Sequence, residues 1–175
     1  MNEIINRVSS SGLMEINLED FYDHSERASI DFKDFLDAFP VGNNFAYVLK
    51  EKIFREKLNN FDIGPFEGKI VTVKCSVEAI IPTWAYMLLS LTLTPHTKKI
   101  VFGDEMVLES ILFEEALNKI NFQDYTDGKV VIKGCNKVNV PINAYATLAS
   151  KLKPYAKSIM FGEPCSTVPL YKKPK

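Results

Sequence analysis

The residues best suited to chemistry are three cysteines, Cys75, Cys135 and Cys165, and two carboxylates, Asp104 and Glu163. Thiolate is a soft ligand that selects zinc, copper(I) and iron–sulfur units. Three thiolates, completed or oriented by a carboxylate, would suit zinc or an iron–sulfur species. Linear spacing does not announce such a site. The gaps between the cysteines are 60 and 30 residues, and no C-x-x-C is present. Convergence must therefore come from the fold. The competing reading is plain packing, because free Cys is among the most buried residue types. Packing explains Cys165 less well, since it lies in the polar, turn-rich segment GEPCST. Asp104 has its own alternative as the cap of a helix beginning near Met106.

An internal repeat supplies the elements that would position these residues. Gly68 to Asp104 resembles Gly128 to Glu163. Gly68 pairs with Gly128 and Cys75 with Cys135 at an offset of 60. After one deletion the offset is 59, pairing Pro82 with Pro141, Tyr86 with Tyr145, Pro95 with Pro154, Gly103 with Gly162 and Asp104 with Glu163. Upstream, Leu49, Phe54 and Leu58 pair with Leu108, Phe113 and Leu117. Each copy begins with apolar residues three or four apart, which predicts a helix. A Gly-Lys turn and a β-branched run follow, Ile70–Val73 or Val130–Ile132, suited to a buried strand. Pro82 or Pro141 opens a second helix, which stops before Pro95 or Pro154. A last strand, KKIVF or KSIMF, ends each copy.

Strands alternating with helices predict an α/β fold with a mostly parallel sheet. The expected architecture is a single domain of two pseudo-symmetric αβαβ halves, residues 48–104 and 105–163. The expected strand order is 2-1-3-4, with residues 69–74 and 129–134 as central neighbours. Ligands in such sheets bind at the carboxyl ends of the strands. All three cysteines and both carboxylates map to that edge. Residues 1–47 read as an acidic N-terminal extension, with eight acids between Glu15 and Asp37 against Arg27 and Lys33. Its similar pieces INLEDFY and IDFKDFL are expected to form a hairpin or extra edge strands. Gly42-Asn43-Asn44 reads as a turn or flexible link, residues 164–175 as a C-terminal tail, and its last residues, YKKPK, as basic and frayed.

Composition removes several function classes. The 175 residues carry Lys+Arg 21 and Asp+Glu 22, a net charge of −1, so no strong field draws the chain to nucleic acid or an anionic membrane. Three cysteines are too few for a secreted disulfide scaffold. The N-terminus lacks the apolar core of a signal peptide. The uncharged stretch Ala79–Thr97 is interrupted by Pro82 and Pro95, which argues for a buried helix rather than a span. A cytoplasmic location is expected. Phosphate-binding glycine loops and the G-x-S-x-G elbow are missing. With two His, neither beside a Cys or Ser motif, a Cys-His or Ser-His-Asp machine has little support. Trp84, Tyr86 and Tyr145 are expected in the core.

At CSVEAIIPTWAYM (75–87), VVIKGC (130–135) and MFGEPCSTVP (160–169), with MNEIINRVSSSGL and INLEDFY near the start, the chain resembles an uncharacterised Bacteroidetes family, domain of unknown function 2480. The resemblance covers nearly the full length and brings no catalytic residue with it. It implies genes lying near those for iron–sulfur assembly, and iron–sulfur assembly proteins as partners. The leading expectation is a cysteine-centred metal-binding or iron–sulfur accessory protein using Cys75, Cys135, Cys165, Asp104 and Glu163. A second expectation is a small-ligand or protein-interaction module with structural cysteines and no catalysis. A third is a hydrolase or transferase using the two acids.

Overall fold

A computed structural model describes residues 12–134, 137–163 and 166–174. In chain order its strands and helices are β1 (Leu13–Asn17), β2 (Arg27–Asp31), β3 (Asp37–Val41), β4 (Asn44–Val48), α1 (Glu51–Asn59), β5 (Ile70–Lys74) and α2 (Thr83–Leu93). They continue with β6 (Lys99–Phe102), α3 (Glu105–Leu117), β7 (Lys129–Lys133), α4 (Ile142–Leu152), β8 (Ser158–Glu163) and β9 (Ser166–Lys172). The fold is mixed α/β with mostly parallel sheets. The chain divides into two compact units, one of residues 24–108 and one of residues 1–23 with 109–175.

In the 24–108 unit the sheet order is β2-β5-β6, all parallel. The run Ile70-Val71-Thr72-Val73 in β5 is buried throughout, as a central parallel strand requires. Its core gathers Phe32, Phe35, Phe54, Leu58, Val71, Val73, Ala85, Leu89 and Leu93. Trp84 and Tyr86 pack against this cluster, as their positions predict. A short antiparallel hairpin, β3 with β4, interrupts the crossover between β2 and β5. Its turn is Gly42-Asn43, with Gly42 at φ +60°. That is the two-residue loop with glycine first that suits the strand twist.

In the other unit the order is β1-β7-β8-β9, with β9 alone antiparallel. Ile16, Leu18, Phe113, Leu117, Val130, Ile132, Leu148 and Leu152 form its core. Tyr145 packs against it, and its ring meets Phe161 edge-on at 5.8 Å. Pro82 and Pro141 are the N-cap residues of α2 and α4, and both helices end before the following proline, as predicted.

Two expectations are corrected. Strands 69–74 and 129–134 are not neighbours in one sheet. Each already has both edges filled, β5 by β2 and β6, β7 by β1 and β8, so the 2-1-3-4 order cannot form. The filling strands β1 and β2 come from the segment read as an extension. Residues 171–173 of the basic end are not frayed. Residues Ser166–Lys172 form β9 on β8, and the Lys173 N–H continues the ladder to the Lys157 carbonyl at 2.9 Å. Most acids of residues 15–37 have local work. Glu15 meets Lys133 at 2.9 Å, Glu19 accepts the Lys137 N–H at 3.0 Å, Asp20 accepts from the Asn17 amide, Glu26 meets Lys69 at 3.2 Å, Asp37 pairs with Lys50, and Asp31 caps a short 3-10 turn.

Candidate functional site

Cys75 follows β5 directly, at the carboxyl edge expected for it. Its thiol donates to the Val77 carbonyl at 3.2 Å, and the side chain is half-buried against the 24–108 core. Tyr86 lies close by. Burial first, and then the neighbouring Cys75, pushes its phenol above the ordinary value of 10.0. Asp104 stands between β6 and α3. Its Oδ1 accepts the Val107 N–H at 2.9 Å and its carbonyl accepts from Leu108, so it is the N-cap of α3. Glu163 closes β8 in the other unit, exposed and in register with Ser166. Cys135 and Cys165 lie outside the described residues. Among the described residues no group of three or more His, Cys, Asp or Glu side chains is placed to hold a metal ion. Among the described residues Cys75 is met by the Val77 carbonyl and lies near Tyr86. His96 pairs with Glu67 at 3.1 Å.

One face of the same sheet, along the length of β2, carries a cleft of about 300 Å³ lined by Arg27, Ser29, Thr72, Lys74, Asp104 and Glu105, among others. Strand register builds its floor. Arg27 and Ser29 of β2 share a face with Thr72 and Lys74 of β5, because side chains alternate along a strand. Ser29 stands directly opposite Thr72. The Thr72 hydroxyl donates to the Ala28 carbonyl at 3.4 Å, which leaves its oxygen able to accept. The first turn of α3 adds Asp104 and Glu105 as a second wall. Cationic, hydroxyl and carboxylate groups thus converge on one small space.

Asp31 anchors the loop beside this edge. Its Oδ1 accepts the Lys33 N–H at 3.0 Å and the Ser76 N–H at 3.1 Å. Burial alone would raise its carboxyl. Hydrogen bonds from Ser76 and Lys33, with the Lys33 charge, outweigh burial and hold it below the ordinary 3.8. A depressed folded-state value stabilises the fold above the unfolded value and loses that contribution as pH falls through the folded one. Asp31→Ala is expected to cost about 1 kcal/mol at neutral pH, the usual worth of a cap. The gap between wild type and Asp31→Asn is expected to close as pH falls below 3.8. Chemical denaturation across pH reads both. A gap that widens in acid would contradict the assignment.

A family model described as Protein of unknown function (DUF2480) matches residues 2–173. The chain belongs to this family. No curated protein and no solved structure matches it. For this DUF2480 member the family brings no reaction, so residue roles rest on geometry. Sequence reasoning reached Asp104 and Cys75 through the repeat. It missed Arg27, Ser29, Thr72 and Lys74. The one available signal was alternation in RASID and IVTVK, which puts these side chains on one face, opposite Ile30, Val71 and Val73. No helix among the described residues is long and apolar enough to cross a membrane.

Proposed function

We propose that the protein is a small-ligand-binding module in which Cys75 is structural. One observation carries this reading: the 300 Å³ cleft of the 24–108 unit, whose lining gathers Lys74, Arg27, Asp104 and Glu105 around the paired Ser29 and Thr72. Its volume is at the small end for ligand sites, which run from about 300 to 1,000 Å³. Charges of both signs in so small a space suit a compact molecule that carries both, of α-amino-acid size. An anionic group would meet Lys74 and the Ser29 hydroxyl, and a cationic group Asp104 and Glu105. Charge-assisted hydrogen bonds to each group would add to the affinity.

The test is a titration of the full chain with the standard α-amino acids, followed by backbone amide NMR. At least one is expected to bind saturably with a dissociation constant at or below about 1 mM. Lys74→Ala is expected to weaken it about tenfold, the worth of a charge-assisted hydrogen bond. Binding that ignores Lys74→Ala and Ser29→Ala, or no saturable shift at all, would overturn the reading. Thiol titration of the native chain separates it from the metal alternative. Zinc that binds stoichiometrically and is lost in Cys75→Ser would favour a thiolate site instead.

We also read the two units as copies of one half. What supports this is the sequence repeat, the same parallel order of three strands in each, and the capped turns after Asn17 and Asp31 at matching places.

A further inference from the structure

The β3–β4 hairpin exposes more apolar side chain than its neighbours in the fold require. Phe39 is 43% exposed, Val41 55%, Phe45 63% and Val48 37%. A lone two-stranded hairpin is marginal in water, and this one is a separate two-stranded sheet. Natural edge strands are protected by charge or proline. Among the described strands with a free edge, β1 has Glu15, β2 has Arg27 and Asp31, β3 has Asp37 and Pro40, β6 has Lys99, and β9 has Pro169 and Lys172. Only β4, Asn44-Phe45-Ala46-Tyr47-Val48, has neither among those strands.

The register says which backbone groups that edge offers. Val41 and Asn44 close the two-residue turn and form its hydrogen-bonded pair. Alternation then turns the N–H and C=O groups of Phe45 and Tyr47 outward, away from β3. Phe45-Ala46-Tyr47 is near-palindromic in side-chain type. An antiparallel partner strand of the same sequence, related by a two-fold axis at Ala46, would set Phe45 against Tyr47 of the second copy twice. Both positions present outward backbone groups, so the pairing supplies hydrogen bonds and two aromatic cross-strand pairs together. The strand carries no charge, so two copies do not repel there.

We propose that β4 is a homodimer edge, pairing antiparallel with β4 of a second copy about Ala46 to make a four-stranded sheet. The exposed side chains of the hairpin amount to on the order of 300 Å² per copy, taking about 200 Å² for a whole aromatic side chain. A pair therefore buries less than the ~1,200 Å² of a stable complex and belongs to the transient class.

Sedimentation equilibrium of the full chain tests this. The weight-average mass is expected to rise above 19.8 kDa as concentration approaches about 1 mM. Phe45→Pro removes one outward N–H and leaves the β3–β4 ladder intact, because the Phe45 N–H faces away from β3. It is expected to hold the mass at the monomer value, as is Phe45→Lys. Ala46 and its symmetry mate would form a non-hydrogen-bonded pair with Cα atoms about 4.5 Å apart, within disulfide reach. Ala46→Cys is therefore expected to cross-link on mild oxidation well beyond wild type. Val48→Cys is expected not to, since its mate lies about 13 Å away, beyond disulfide reach. A constant monomer mass overturns the proposal and leaves the edge to an extended segment of another protein. Dimerisation that persists in both Phe45 variants, or equal cross-linking at Ala46 and Val48, overturns it as well.

Discussion

Phe32→Ala is expected to destabilise the 24–108 unit by about 3–5 kcal/mol, the range for emptying a large aromatic from a packed core. Phe32 is fully buried and sits at the centre of a ring cluster. It lies 5.7 Å from Phe35, 5.7 Å from Phe54 with rings nearly parallel, and 4.8 Å from Tyr86. These rings come from the 3-10 turn after β2, from α1 and from α2, so one deletion loosens three elements at once. A domain has only about 5–15 kcal/mol of net stability. Urea unfolding with an unchanged slope and a much lower midpoint is the expected record. Phe39→Ala, at an exposed ring, is the control and should cost well under half as much. A loss below about 1 kcal/mol for Phe32→Ala would contradict the packing described.

Removing residues 1–23 is expected to abolish folding of the other unit. The sequence treats this stretch as outside the repeat, which would make it dispensable. In the structure Leu13–Asn17 pairs with Lys129–Lys133 at five ladder positions. Ile16 and Leu18 are buried in the same core as Val130 and Ile132. Deletion exposes that core and leaves one edge of β7 unpaired. Two buried aliphatic side chains are worth about 4–10 kcal/mol by core truncation, before any ladder bond is counted. Hydrogen exchange at the Val130, Val131 and Ile132 amides should lose its protection. Retained protection there would mean that β1 is ornamental.

The pattern of local elements was open to reading, because periodicity, prolines and β-branched runs are local signals. Pro82, Pro141, Val71 and Val130 mark their elements without knowledge of the rest of the chain. Strand pairing was harder. INLEDFY and IDFKDFL were visible as similar, yet nothing local says that the first pairs with residues more than 100 positions away and the second with residues about 40 away. That choice depends on which edges are free, a property of the assembled sheets. The Gly42-Asn43 turn was legible, but Pro40 and the short apolar runs on either side hid the two strands it joins. β9 was hidden by Pro169 and by its polar neighbours.

The site followed the same division. Asp104 was placed correctly at a strand end because the repeat placed it, and its cap role was the simpler of its two readings. Cys75 was placed correctly too, but its partner, the Val77 carbonyl, is a backbone atom that no motif announces. Ser29 and Thr72 carry no signal as isolated hydroxyls in strands. They matter only because the β2–β5 register sets them side by side.

The most direct measurement of ligand binding at this cleft is the amide spectrum of the 24–108 unit within the whole chain as α-amino acids are added. Saturable shifts concentrated at Ser29, Thr72, Lys74 and Glu105 are expected, and their loss in Lys74→Ala. Shifts that never saturate, or that gather elsewhere in the chain, would contradict it.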